Sequence, residues 1–187
     1  MYAFNPGTSA RRPGGNFGQF APDPSFSRWL CCVMPRLFQQ DGLSGGGQLP
    51  AGPRVLKYGV VAIARRGERF LAIRRGWKVA AGGRVCFPGG HVEPGEAEHD
   101  AVVRECREEL AAPVAATKCV WRSVTSWGTA LAWWTVNLDE TAELVPHPVE
   151  VAEIFWLTAD DLLAEPALLE GNRDFLLAVR TGQIVLE

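Results

Sequence analysis

Long apolar runs are missing from this chain of 187 residues, and no stretch approaches the length needed to span a bilayer. An excess of one charge is missing too. Nineteen Lys and Arg against 21 Asp and Glu leave a formal net charge of −2. No global field therefore draws the chain to nucleic acid or to an anionic membrane, and neither is expected as a stable partner. Cysteine is sparse and odd in number: Cys31, Cys32, Cys86, Cys106 and Cys119. They form no CxxC pair and have no zinc-like spacing with the three histidines, His91, His99 and His147. Reduced thiols in a cytoplasmic protein are the expectation. The first residues lack a charged region followed by an apolar one, and Arg11-Arg12 is followed by Pro13-Gly14-Gly15-Asn16 rather than by the apolar stretch of a secretion signal.

What is present divides near residue 53. Residues 1–52 are rich in Gly, Pro, Ser and Gln, a composition that does not repay the entropy of ordering itself, so an extension mostly without fixed structure is expected there. One apolar island, Phe26 to Pro35, interrupts it, either as a short docking helix or as weakly packing residues. From residue 53 to 187 the texture is that of a folded domain. Val55 to Ala64 reads as a buried strand, and Arg65 to Glu68 as a turn into a second strand over Arg69 to Arg74. A glycine-rich loop, Ala80 to Gly90, leads to a charged helix over 97–110. Strands follow at 118–126, 131–137 and 150–157. Thr158 with Asp161 has the form of a capping box, and a last helix over 173–181 ends at Gly182. Strands interleaved with helices predict an α/β fold, a mixed β-sheet with helices on both faces.

The chemistry is concentrated between Gly90 and Glu109. At roughly 100° per helical residue, Glu105, Glu108 and Glu109 fall within about 100° of arc, apart from Val102, Val103, Cys106 and Leu110. Carboxylates crowded on one helix face repel one another. A hard divalent cation with oxygen ligands resolves the conflict, and Mg²⁺ is the expected ion where phosphates supply further ligands. A solvated acidic face, partly neutralised by Arg104 and Arg107, explains the same spacing. The loop in front favours the metal: Phe87-Pro88-Gly89-Gly90 and Pro94-Gly95 place closely approaching backbone beside the helix start.

This segment resembles the Nudix box, G-x5-E-x7-R-E-U-x-E-E-x-G-U, with U a bulky apolar residue. Gly90, Glu96, Arg104, Glu105, Glu108 and Glu109 match in register, Cys106 fills the first apolar position, and Ala111 and Ala112 replace the final Gly and aliphatic residue. An Ala is expected to serve at 111 if the backbone there does not need a positive φ. The resemblance implies a Nudix-like α/β/α sandwich and a Mg²⁺-dependent hydrolase, with Mn²⁺ an alternative ion, that cleaves a diphosphate bond in a nucleoside diphosphate derivative. It implies Glu105, Glu108 and Glu109 as ligands and a carbonyl from Gly90. Glu96 would brace the loop or join the metal shell, and Arg104 would orient a box glutamate. A carboxylate outside the box often serves as ligand or general base; Glu150 is the first choice, then Glu153, then Glu143. Glu108, Glu105, Arg104 and Glu150 form the expected catalytic set. Homodimers are common in the family.

Substrate choice is less legible. Arg74 and Arg75 are expected either beside phosphate or at a strand end on the surface. Trp77, Trp121, Trp127, Trp133 and Trp134 are candidates for stacking a base, with Trp127 the first choice, although most tryptophans belong to a core. Trp133 and Trp134 must face opposite sides of a regular strand. Gly83 to Gly90 is similar to the G-x-V-x-F-P-G-G run of coenzyme A diphosphatases, but Ala81 stands nearest to where those have a histidine. Two other readings of the chain are a non-catalytic nucleotide sensor of the same fold and an interaction protein working through residues 1–52.

Overall fold

A computed structural model describes residues 57–187. The N-terminal extension, its apolar island and the boundary at 53 lie outside the described residues. Seven strands and three helices follow: β1 (Lys57–Ile63), β2 (Arg65–Arg66), β3 (Arg69–Arg75), β4 (Val85–Cys86), α1 (Glu98–Leu110), β5 (Val114–Val124), β6 (Thr129–Leu138), β7 (Val151–Thr158), α2 (Ala159–Ala164) and α3 (Glu170–Arg180). Strands β1, β6 and β5 form one sheet, parallel between β1 and β6 and antiparallel between β6 and β5. Strand β3 pairs antiparallel with β2, β4 and β7 in a second sheet. Among the described residues no helix is long and apolar enough to cross a membrane.

Alternation along the strands builds three layers. Val60, Ala62, Leu71 and Ile73 face α1, where they pack with Ala101, Val102, Cys106 and Leu110. Val61, Ile63, Phe70 and Ala72 face the other way, toward Leu162, Phe175 and Leu176 of α2 and α3. This is the expected α/β/α sandwich. Trp133 and Trp134 separate as the pleat requires: Trp133 is fully buried on the α3 side, stacked on Phe175 at 4.8 Å, while Trp134 packs on the α1 side. Thr158 and Asp161 make the anticipated capping box, each accepting from the other's backbone N–H.

Two local expectations need correction. The strand placed at 118–126 starts at Val114, because β5 runs on through two register shifts. Ala111 does adopt a left-handed conformation, φ 52° and ψ 23°, at the end of α1. Its N–H and that of Ala112 turn back to the carbonyls of Arg107 and Cys106, so the positive φ is imposed by closure of the helix. Alanine occupies it at a steric cost that glycine would not meet.

Candidate active site

The acidic face of α1 meets the Phe87–Gly90 loop because two glycines allow it. A Cβ at Gly89 would collide with the Val60 carbonyl of β1, and one at Gly90 with the Glu105 carboxylate. The loop is tied to β1 by Ala62 N–H donating to the Pro88 carbonyl and Val60 N–H to the Gly90 carbonyl, at 2.8 and 2.9 Å. Buried Asn172 of α3 adds a third tie, its Oδ1 accepting from Phe87 N–H at 2.7 Å. The loop therefore stands fixed between the two helical layers.

Between this loop and α1 lies an open cleft of about 280 Å³, lined by Glu105, Glu108, Glu109, Glu150, Gly89, Gly90, His91 and the cations Arg75 and Arg104. Glu109 is only 4% exposed, although the helix pattern places it with the acidic face. Gly89 N–H donates to its Oε2 at 2.9 Å. Burial, against that hydrogen bond, raises its carboxyl from the ordinary 4.5 to about 8, and the charges of Glu105 and Glu150 push the same way. Glu105 is also raised, by burial first, with the hydrogen bond from Arg104 opposing. Glu108 is exposed.

Arg104 is the centre of the local network. Its Nε and Nη2 donate to the two oxygens of Glu96 at 2.8 and 2.9 Å, Nη1 to Glu105 and Glu108 at 3.0 Å each, and Nη2 to the His91 carbonyl. These bonds lower the Glu96 carboxyl, and the carboxylates together raise Arg104. Glu96 also accepts from Glu93 N–H, so both its oxygens are engaged in bracing the loop. Among the described residues no three potential ligand side chains form a ready-made metal cage, and Arg104 holds Glu105 and Glu108 in hydrogen bonds. The donors nevertheless suit a hard cation. They are carboxylate oxygens whose mutual repulsion and burial disfavour the charged state, which a divalent ion would restore.

The expected peripheral residues separate. Glu150, just before β7, lines the cleft. Glu153 pairs with Arg74 at 3.1 Å, and Glu143 is an exposed loop residue outside the lining. Arg75 lines the cleft, whereas Arg74 does not. Its Nε bonds Glu153, its Nη1 bonds the Gly83 carbonyl, and its guanidinium lies over Phe155 at 5.3 Å. With Arg74 held by Glu153 and the Gly83 carbonyl, Arg75 is the one of the pair placed on the cleft wall. Trp127, 65% exposed, stands outside the carboxylate cleft on an adjoining groove of about 520 Å³, which shares Arg75, Gly89, Gly90 and His91 with it. Sequence reasoning missed Lys57 and Asn172 on that groove. Neither carries a local motif; chain pairing alone brings β1 and α3 beside the loop.

A model of the NUDIX domain matches residues 53–179. The chain belongs to the Nudix family. Its structural neighbours include a MutT protein from Methanosarcina mazei, at 21% identity over 70% of this chain and 96% of that one with a TM-score of 0.62. A MutT Nudix hydrolase from Burkholderia pseudomallei shares 25% identity over 66% of this chain and 97% of its own, TM-score 0.55. The ORF135 protein of E. coli shares 26% over 72% and 97%, TM-score 0.56. A comparison with curated proteins gave no match. Family and fold together are those of a Nudix-type hydrolase.

Proposed function

We propose that this Nudix protein is a Mg²⁺-dependent hydrolase that cleaves a diphosphate bond in a nucleoside diphosphate linked to a second moiety. The observation that carries the reading is the gathering of Glu105, Glu108, Glu109 and Glu150 in one cleft with Arg75 on its wall. Glu105, Glu108 and Glu109, with the Gly90 carbonyl, would hold the metal; Mn²⁺ has the same oxygen preference. Bound there, the ion would neutralise diphosphate oxygens and make water a better nucleophile. The chain's own residues supply the rest. Arg75 meets phosphate charge. Glu150, exposed on the cleft wall, accepts the proton of the attacking water. Arg104 orients the box carboxylates, with Glu96 as its brace. Trp127 offers a face for the base in the adjoining groove.

The test is hydrolysis of a panel of dNTPs, ADP-ribose, NADH, dinucleoside polyphosphates and coenzyme A, with and without Mg²⁺. The reading expects one class to turn over, only with metal, and Glu108→Gln to lower kcat by on the order of a hundredfold or more. Full turnover by that variant, or none by folded wild-type protein loaded with metal, would sink it.

A further inference from the structure

The chain between β6 and β7 has few regular hydrogen bonds, yet it must deliver Glu150 to the cleft. Two ties hang it on the end of α1: Val145 N–H donates to the Leu110 carbonyl at 2.9 Å and His147 N–H to the Glu109 carbonyl at 2.8 Å. These satisfy carbonyls that a helix end leaves without partners. On the far side the Glu150 carbonyl accepts from Gly76 N–H at 2.7 Å, just after β3. The fit there is close, since a Cβ at Gly76 would collide with the Val149 carbonyl. Residues 147–150 thus bridge the metal-binding helix and the strand that carries Arg75.

Inside the bridge the chain makes a single helical turn. Val151 N–H donates to the His147 carbonyl at 3.0 Å, and Pro148 occupies the first turn position, where its fixed φ is suited and its missing N–H costs nothing. The N–H of Glu150 lies 3.3 Å from Nδ1 of the half-buried His147 imidazole, which accepts from it. A side-chain acceptor bonded to the N–H three residues on is the arrangement of a helix N-cap. An imidazole does this as the neutral ring with Nδ1 free of its proton. Glu150 lines the same cleft as Glu105 and Glu109, so the turn has brought three carboxyl groups to one site.

We infer that His147 is a positioning residue, whose imidazole caps the 147–150 turn and so fixes the Glu150 carboxylate over the acidic cleft. The inference rests on the proposed reading of Glu150 as the proton acceptor. Removing the cap leaves the Glu150 N–H to water and frees the turn between its two anchors. A displacement of about 1 Å in a reacting group costs up to about a hundredfold in rate. Asparagine, a strong N-cap residue, restores the acceptor without the ring.

The experiment compares wild type, His147→Ala, His147→Asn, Glu150→Gln and the double variant His147→Ala/Glu150→Gln, as full chains. Amide hydrogen exchange at Glu150, read by NMR on metal-free protein, reports the cap without any substrate. Steady-state hydrolysis with Mg²⁺ of the panel compound turned over fastest by wild type reports the consequence. We expect faster Glu150 exchange in His147→Ala and wild-type exchange in His147→Asn. In His147→Ala, kcat should fall about tenfold to a hundredfold with KM within about twofold, and His147→Asn should recover most of it. In the Glu150→Gln background, His147→Ala should add nothing, because both changes act through one group. Unchanged Glu150 exchange in His147→Ala overturns the inference. So does a wild-type kcat in that variant, or a double variant slower than Glu150→Gln by the full single-variant factor. Wild-type kcat in Glu150→Gln removes the Glu150 reading and the inference together. An impaired Glu150→Gln beside a fully active His147→Ala removes the inference alone.

Discussion

Glu109 carries an internal conflict, since it is buried among α1 packing residues and still belongs to the acidic face. Its folded-state value of about 8 stands above the ordinary 4.5, with burial the main cause. The fold therefore favours the protonated form. That contribution to stability is fully present below about pH 4.5 and is lost as pH rises through about 8. Metal-free protein should lose thermal stability across this window, and Glu109→Gln should lose less of it. Added Mg²⁺ should recover the loss at pH 8, because binding to the ionised carboxylate stabilises the folded state. Melting curves at pH 5 and 8.5, with and without Mg²⁺, read this out; equal pH dependence in wild type and variant would contradict it. In the sequence Glu109 was legible as a member of the acidic cluster from its register with Glu105 and Glu108. Its burial was not, because a helix pattern gives the face and not the depth at which the loop covers it. Arg74 and Arg75 show the same limit. Two adjacent arginines look alike in the chain, and only the pairing of β3 with β7 gives Arg74 to Glu153 and leaves Arg75 to the cleft.

Elements were read from the sequence best where periodicity was strong. Strand β1 with its β-branched run, α1 with its apolar arc and the capped start of α2 all form close to where they were expected. Strand β4 is two residues long, and its pairing with β3 leaves no periodic trace. The sequence left open whether the close of α1 needs a positive φ, because conformation at Ala111 follows from hydrogen bonds to Arg107 and Cys106 and not from residue preference. Ala111→Gly should relieve the left-handed strain and stabilise the domain by about 0.5–1 kcal/mol, net of the extra freedom glycine brings to the unfolded chain. Chemical denaturation would measure it, and a lower unfolding midpoint for the glycine variant would show that the strain is not stored there.

At the scale of the whole molecule, the three-layer sandwich sets α1 on one side and α3 on the other, with the Phe87–Gly90 loop tied between them. The carboxylate cleft and the Trp127 groove meet along that loop, sharing Arg75, Gly89, Gly90 and His91. The proposed nucleoside diphosphate derivative would lay its diphosphate in the cleft and its base along the groove. Trp127→Ala should therefore raise KM by about tenfold while leaving kcat within about twofold, the mark of an interaction present before and during the reaction. A fall in kcat at unchanged KM would place Trp127 elsewhere in the mechanism.

The proposed mechanism requires the acidic cleft to hold a divalent ion. Titration of the substrate-free full chain with Mn²⁺ at pH 8, following the free-ion signal by electron paramagnetic resonance, tests it most directly. Saturable binding in wild type, weakened by on the order of tenfold or more in Glu109→Gln and in Glu108→Gln, is the predicted result. Absent binding in folded wild-type protein, or binding unchanged by both substitutions, would contradict it.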